Sequence, residues 1–173
     1  PRVYMKSFEL RGLNGHTIQE GWKVSPTAYL GITAANYPNM YQLVGPHTGL
    51  GHNSIIFMIE AQADYIVNCV KLVQAKGGGY LDVKEEAQNR FLGEMTQALK
   101  GTVWDSGCKS WYQTAEGINF AIWPKSTWRY WLATRKVNEA DYRFVKCAGQ
   151  GTVGAAGAQP GAGAQAMAPT AAR

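Results

Sequence analysis

The sequence is poor in cysteine, and the few cysteines present lie far apart. Cys69, Cys108 and Cys147 are odd in number and form no CxxC pair. The chain therefore has neither the spacing of a zinc knuckle nor a disulfide framework, and no metal site is expected. Cysteines used in this way are typical of a reducing compartment, so we expect a cytoplasmic protein.

Long apolar runs are also missing. No stretch is long enough to span a bilayer, and no signal-peptide pattern stands at the start, so no membrane partner is expected. The 173 residues amount to about one domain's worth of chain. Because the sequence opens with Pro1 rather than methionine, we expect the natural N-terminus to lie upstream.

Charged residues are scarce and dispersed. They make up 17% of the chain against 46% hydrophobic residues, and 17 Lys and Arg against 12 Asp and Glu give a formal charge of +5. No basic run and no interleaving of basic with aromatic residues occurs, which argues against a nucleic-acid partner. The weak positive charge suits an anionic ligand, or simply the surface of an ordinary basic protein.

Three segments have the periodicity of amphipathic helices. The strongest begins after Ser54 and is closed by the glycines at 77–79. Its predicted inner face consists of Ile59, Ala63, Ile66, Val70 and Val73. A second helix is predicted over 84–99, with an inner face of Ala87, Phe91, Met95 and Ala98. The third is predicted over 126–136, where Ser126 can cap it.

Short strands are predicted between these helices. Alternating or apolar runs indicate strands over 3–12, 40–44 and 80–83. A hairpin is predicted from residues 109–114 and 119–123, joined at Ala115-Glu116-Gly117. The fold class is therefore α/β, or α+β for this chain taken on its own.

The last 26 residues differ in composition from the rest. Residues 148–173 are nearly all Gly, Ala, Gln and Pro, which predicts a disordered tail. The tail contains a GxGxxG match at Gly149–Gly154, but Pro160 interrupts the segment after it and no acidic residue comes after Asp141. A dinucleotide fingerprint needs both a helix and a later acidic residue, so we interpret the match as low-complexity coincidence.

The stretch GPHTGLGHNS, Gly45–Ser54, links a predicted strand to the strongest predicted helix. Glycines let backbone N–H groups approach a ligand, and a helix N-terminus carries partial positive charge, so this arrangement can hold an anion or a cofactor. Asn53 and Ser54 lie where N-cap residues are expected. The first helical turn, Ile55–Ile59, is apolar all round, which predicts that this helix end is deeply buried.

Other interpretations of this turn have less support. A tight strand-to-helix connection with a polar cap is the plain structural alternative. His47 and His52 lack a neighbouring carboxylate or thiol that would complete a metal site. Ser54 lacks the GxSxG elbow of a hydrolase nucleophile.

Several segments together resemble a known family. The turn with its flanks (Asn36–Ile66, NYPNMYQLVGPHTGLGHNSIIFMIEAQADYI), the segment FELRGLNGHTIQEGW, CKSWY and WPKSTWR resemble the C-terminal part of flavin-dependent monooxygenases of the Baeyer–Villiger and flavin-containing type. The similarity is greatest to the 4-hydroxyacetophenone monooxygenase-like branch, in which Asn is usual at the position of His47.

The resemblance implies an architecture larger than this chain. It implies a flavoprotein with two dinucleotide-binding domains, whose GxGxxG motifs and catalytic residues would lie upstream of Pro1. Residues 1–76 would then complete the FAD domain, with the strand, turn and helix closing it. Residues 77–147 would form a C-terminal extension that packs on the cofactor and substrate region, followed by the tail at 148–173.

The resemblance also implies cofactors and contacts. FAD would be held at the turn, by Gly45, Pro46, Thr48, Gly49, Leu50, Asn53 and Ser54. Trp111 lies in a stretch similar to the mobile segment that covers the nicotinamide cofactor in related enzymes, and so is expected to contact NADPH. A tryptophan packed in a hairpin is the structural alternative for this residue.

The implied activity is insertion of one oxygen atom from O2 into a ketone or aldehyde, with FAD and NADPH as cofactors. The expected partners are thus a small organic carbonyl substrate, O2 and the missing N-terminal part of the same enzyme. Two alternatives remain open at this point: oxygenation at nitrogen or sulfur, and a truncated remnant that serves only as an interaction module.

Overall fold

The computed structural model of the chain describes residues 8–105 and 110–147. The helices are α1 (Ile18–Gly21), α2 (Ile55–Ala75), α3 (Glu85–Leu99) and α4 (Thr127–Thr134), and the strands are β1 (Tyr80–Val83) and β2 (Tyr142–Val145). The first residues of the predicted strand 3–12, Cys108, residue 109 of the predicted hairpin and the tail 148–173 lie outside the described residues. No helix in the described ranges is long and apolar enough to cross a membrane.

Strands β1 and β2 form a two-stranded antiparallel sheet. Asp82 of β1 lies opposite Arg143 of β2, and the Arg143 guanidinium donates to Asp82 Oδ2 at 2.6 Å. Asp82 is only 2% exposed, and its other oxygen accepts the backbone N–H of Asn36 at 2.8 Å. The carboxylate thus fixes three parts of the chain to one another. The mixture of helices with a small sheet confirms the expected α/β class, in its α+β form.

Helix α2 is the longest element and lies at the centre of the structure. Gly77 and Gly78 follow it with positive φ, and their N–H groups bond to the carbonyls of Gln74 and Val73. This closure confirms the predicted glycine stop. The helix buries Met58, Ala61, Gln62, Tyr65 and Cys69.

The predicted inner face of α2 is wrong in phase. Ala63 and Val70, which were expected inward, are exposed, as are Ile56 and Val67. The reason is that apolar residues occur on nearly every side of this helix, so periodicity alone could not select the buried side. The choice is made by long-range contacts: Gln62 Oε1 accepts the Val44 N–H, and Gln62 Nε2 donates to the Tyr130 hydroxyl.

Helix α3 agrees more closely with its pattern. Ala87, Phe91 and Met95 are buried as predicted, and Leu99 is the buried residue at the end where Ala98 was expected. Because this helix has a strongly polar opposite side, its periodicity identified the inner face correctly. Residues from α2, α3, α4 and both strands join one hydrophobic core.

The predicted strand over 40–44 is wrong. Leu43 and Val44 form a bend and are 47% and 36% exposed, and Val44 has a φ of +54°. A strand cannot continue through a residue in that conformation. The five-residue apolar run suggested a buried strand, but here the backbone turns away so that the Val44 N–H reaches Gln62.

His47 is a buried imidazole within the core. It is 1% exposed and packs edge-on against Phe91, with 6.4 Å between ring centroids. Among the described residues neither ring nitrogen finds a hydrogen-bond partner. Burial lowers the pKa of His47 from its ordinary value of 6.5 to about 4, and the nearby backbone of Ile122 offsets this only in part.

The protonation of His47 predicts a pH dependence of stability. The folded state favours the neutral imidazole, so the stabilisation is complete above pH 6.5 and is lost as the pH falls towards 4. We expect the free energy of unfolding to lose about 3 kcal/mol through this group. His47→Asn cannot titrate and tolerates the positive φ. Urea denaturation across this pH range should show wild type and His47→Asn diverging.

The matched control is His52→Asn, since His52 is exposed. This variant should keep the pH dependence of the wild type. A constant difference between wild type and His47→Asn at every pH would contradict the prediction, because it would mean that the imidazole titrates equally in both states.

Candidate functional site

The glycine-rich turn is held by backbone pairing to a distant segment. The His47 N–H donates to the Phe120 carbonyl at 2.7 Å, and the Gly49 N–H donates to the Ala121 carbonyl at 2.7 Å. The Trp123 N–H returns a bond to the Gly49 carbonyl at 2.9 Å. Gly49 and Ile122 thus form a parallel bridge. The turn is therefore anchored to residues about 70 positions further along the chain.

This pairing changes the predicted hairpin. Its two halves do approach each other, but they share a single antiparallel bridge, between Gln113 and Asn119. The Thr114 N–H also bonds to the Ile118 carbonyl, around the turn at Gly117. The predicted strands of this hairpin are thus wrong, because residues 120–123 give their backbone groups to the glycine-rich turn instead.

The glycines of the turn are explained by contacts within the chain. A Cβ on Gly45 would lie 2.3 Å from the Gly31 carbonyl oxygen, and one on Gly49 would lie 2.8 Å from that of Ala121. Thr48 is fully buried, and its hydroxyl donates to the Gly45 carbonyl at 2.7 Å. Pro46 is buried as well. Gly45, Pro46 and Thr48 therefore form the foundation of the turn, and their contact with a cofactor stays a prediction.

The rest of the turn faces outward. Gly49 and Leu50 are half-buried, and residues 51–54 are exposed. The expectation that the first turn of α2 is deeply buried is wrong, since Ile56 is 58% exposed. An apolar sequence indicates that a surface will be covered, but not that this chain itself covers it.

Helix α2 begins with its positive end open. Ser54 occupies the N-cap, but its side chain makes no capping hydrogen bond, and the first turn carries no acidic residue. Asn53 Oδ1 instead accepts the Ser54 N–H at 2.8 Å. The first N–H groups of a helix have no partner inside it, so this end attracts negative charge.

A second helix begins beside the first. Asn53 Nδ2 donates to Thr127 Oγ1 at 2.9 Å, which ties the start of α2 to the start of α4. The N-cap of α4, Ser126, also makes no side-chain capping bond. The two helix N-termini therefore meet at Asn53, and their positive ends add at this place.

Buried polar atoms without partners concentrate at the same turn. In the described ranges they belong to Gln42, which precedes the turn, to His47 within it, and to Asn119, which adjoins its paired segment. Gln42 is unpaired at both its side-chain nitrogen and its oxygen. Leaving a buried polar group unpaired destabilises a protein by about 1–3 kcal/mol. Such groups are rare away from functional sites, so they mark this turn as a place suited to a polar ligand.

Trp111 stands on an aromatic ladder that leads to the turn. It is 70% exposed, and its ring centroid lies 3.8 Å from that of Tyr112. Tyr112 in turn meets Trp104 edge-on at 5.3 Å. A Cβ on Gly51 would lie 2.6 Å from Trp104 Cζ2. The predicted nicotinamide-side residue is thus connected to the predicted flavin-side turn.

The sequence pattern did not indicate several residues of this site. Trp104, Thr127 and Ala121 each contact the turn from distant parts of the chain, and nothing in their local spacing indicates this. Only Gly51 offered a signal, since a glycine there needs a close neighbour or an unusual φ. In the described residues no group of three or more His, Cys, Asp or Glu is arranged to hold a metal ion.

A separate cleft of about 600 Å³ lies elsewhere, between the 13–22 segment and the start of α3. Its walls include Trp22, Asn36 and Glu85. No residue of the glycine-rich turn lines it. It therefore does not contribute to the site described above.

Comparison with known proteins identifies the chain's relatives, although no family model matches it. It is 39% identical over 136 residues to a Baeyer-Villiger monooxygenase of Pseudomonas aeruginosa, covering 78% of this chain and 26% of that protein. It is 37% identical over 155 residues to a Baeyer-Villiger monooxygenase of Streptomyces coelicolor, covering 88% and 30%. An FAD-binding monooxygenase of Aspergillus niger, ktnD, is 33% identical, with 87% of this chain and 25% of the relative covered.

Solved structures agree in fold. An oxidized steroid monooxygenase bound to NADP superposes with a TM-score of 0.70 at 22% identity, over 80% of this chain and 26% of that one. The OTEMO complex with FAD and NADP gives a TM-score of 0.72 at 20% identity, over 82% and 27%. The narrower 4-hydroxyacetophenone monooxygenase-like branch stays a prediction. The chain belongs with the Baeyer–Villiger-type and FAD-binding monooxygenases, and it spans about a quarter to a third of the length of the curated relatives it matches.

Proposed function

We propose that this chain forms the part of an FAD- and NADPH-dependent monooxygenase that borders the flavin and the nicotinamide cofactor. The complete enzyme would insert one oxygen atom from O2 into a small ketone or aldehyde. The observation that carries the proposal is the glycine-rich turn, where an open helix N-terminus coincides with the unpaired buried polar atoms of Gln42, His47 and Asn119. The names of the relatives, which include Baeyer-Villiger and FAD-binding monooxygenases, supply the chemistry.

The residues present fit a flavin. Leu50 offers an apolar contact, and Asn53 and Ser54 offer polar groups at the open end of α2. Gly49 and the buried Gly45, Pro46 and Thr48 would hold the backbone in place beneath them. When bound, FAD supplies the redox chemistry with NADPH and O2. The positive ends of α2 and α4 would stabilise negative charge on the cofactor.

Trp111 is proposed to contact NADPH. Its ring is 70% exposed, so one face is open to a flat or sugar-like ligand. The solved relatives whose titles name NADP support a nicotinamide cofactor for this fold. Because the ladder from Trp111 reaches Gly51, the two cofactors would be bound at neighbouring places.

The remainder of the enzyme is proposed to cover the outer face of α2. Ile56, Val67 and Val70 are 58%, 49% and 42% exposed on one helix, and a helix with apolar residues on all sides is typical of a protein interior. We propose that residues 1–76 complete the FAD domain and 77–147 form an extension. Both parts share one core here, so the extension would move with the FAD domain.

A chimera tests the proposed function. This chain would replace the matched quarter of the Pseudomonas aeruginosa relative, and the same protein with the quarter deleted would serve as control. We expect the chimera to bind FAD, to oxidise NADPH and to convert a ketone into an ester, and the deleted form to do none of these. Products from amines or sulfides alone would favour heteroatom oxygenation. A chimera that folds but binds no FAD would favour a noncatalytic interaction module.

Charge substitutions at Asn53 test the orientation of α2 towards the flavin. Asn53→Asp can still accept the Ser54 N–H and the Thr127 hydroxyl, so the fold should be kept. In the chimera we expect Asn53→Asp to lower the reduction potential of the bound flavin, because a carboxylate there repels added negative charge. Asn53→Ala should change the potential much less. Redox titration with reference dyes measures both.

Gln74→Glu is the matched control for this charge. Gln74 is exposed near the far end of the same helix, about 30 Å from Asn53 at 1.5 Å per residue. It should leave the flavin potential unchanged. If Asn53→Asp and Gln74→Glu gave equal potentials, the start of α2 would not lie near the flavin.

A further inference from the structure

The contact between Gly51 and Trp104 is unusually close for a ring and a backbone. A Cβ on Gly51 would lie 2.6 Å from Cζ2 and 2.9 Å from Cη2 of the indole. The φ of Gly51 is not in the left-handed region, so glycine is required here for space and not for backbone conformation. A rigid ring cannot yield as a flexible chain end does, so any side chain at this position must displace Trp104.

Trp104 is itself held by short local contacts. It lies in a 3-10 turn, Val103–Asp105, and its N–H donates to the Thr102 hydroxyl at 3.3 Å. Its carbonyl accepts Gln113 Nε2 at 3.2 Å. The indole therefore connects the turn at Gly51 with the segment that carries Tyr112 and Trp111.

Trp111 has ring contacts, among the described residues, only along that ladder. Its ring lies on Tyr112, and Tyr112 packs edge-on against Trp104. At 70% exposure it has little packing of its own to fix its position. A displacement of Trp104 must therefore pass through Tyr112 to Trp111.

We propose that Gly51 and Trp104 are positioning residues, whose contact sets where Trp111 stands relative to the start of α2. The significance of that distance for catalysis rests on the proposed function, in which Trp111 contacts NADPH and α2 points to the flavin. The positioning relation itself rests only on contacts within the chain. The two can therefore be tested separately.

The test uses the full chain labelled with 5-fluorotryptophan and observed by 19F NMR. Six tryptophans give six signals, which Trp→Phe variants assign. Gly51→Ala should shift the signals of Trp104 and Trp111 and leave those of Trp22, Trp123 and Trp128 in place. Gly93→Ala is the matched control, because nothing lies within 4 Å of a Cβ on this exposed glycine.

A second substitution shows whether the effect passes through Trp104. In the Gly51→Ala and Trp104→Phe double variant the smaller ring leaves room for the added methyl group. The Trp111 signal should then match that of Trp104→Phe alone, which is the non-additivity expected of residues in contact. The proposal is overturned if Gly51→Ala leaves Trp111 unchanged, or if it shifts Trp111 equally with and without the indole.

Titration with NADP+ separates this inference from the proposed function. If the Gly51 effect on Trp111 is present, but NADP+ moves neither the Trp111 signal of the chain nor that of the chimera, the positioning relation stands and the nicotinamide role of Trp111 fails. If NADP+ moves the Trp111 signal and Gly51→Ala weakens that response several-fold, both are supported.

Discussion

The structure depends on the pairing of the glycine-rich turn with residues 120–123. Three backbone hydrogen bonds, all between 2.7 and 2.9 Å, join His47 and Gly49 to this segment. They require close approach of two backbones, which is possible because Gly49 has no side chain to meet the Ala121 carbonyl. Because the two partners are far apart in sequence, the pairing brings the second half of the chain over the first.

Much of the core follows from that pairing. Ile122 and Trp123 are drawn inward and are 1% and 3% exposed. Trp123 Nε1 then donates to the Ser126 carbonyl at 3.1 Å, which fixes the chain where α4 begins. Further along α4, the Tyr130 hydroxyl donates to the Leu30 carbonyl and accepts from Gln62. Helix α4 is thereby packed on α2, with both N-termini beside Asn53.

The site is a consequence of how these helices begin. Asn53 uses its side chain to join them, through Ser54 and Thr127, so it does not neutralise either helix end. The open positive ends, the exposed rim of the turn and the unpaired polar groups of Gln42 and His47 then lie in one region. A protein that needed only a tight connection would cap the helix and pair its buried polar groups.

The sequence was sufficient to predict elements whose pattern is local. Helices α2, α3 and α4, strand β1 and the glycine stop after α2 follow from periodicity and from glycine chemistry. The strand β2 could not be predicted, because four residues become a strand only through their partner, β1. The buried side of α2 and the bend at Val44 depend on Gln62 and Tyr130, which are distant in sequence from the groups they orient.

The candidate site was predictable in the same uneven way. The turn and its glycines were visible as a motif, and the resemblance to flavin monooxygenases gave them a role. The buried state of Thr48 and the contact of Trp104 with Gly51 arise from tertiary packing, which local spacing does not encode. The sequence therefore located the site, and the structure divided it into a buried foundation and an exposed rim.

The central claim is that the exposed rim of the turn borders the flavin. Photolabelling tests it most directly: the chimera is loaded with an FAD analogue that carries an azide on the flavin ring, irradiated, and digested for mass spectrometry. The account predicts that labelled peptides from this chain contain residues 50–54, at the start of α2. Labelling of this chain only at other segments, with none at 50–54, would contradict it.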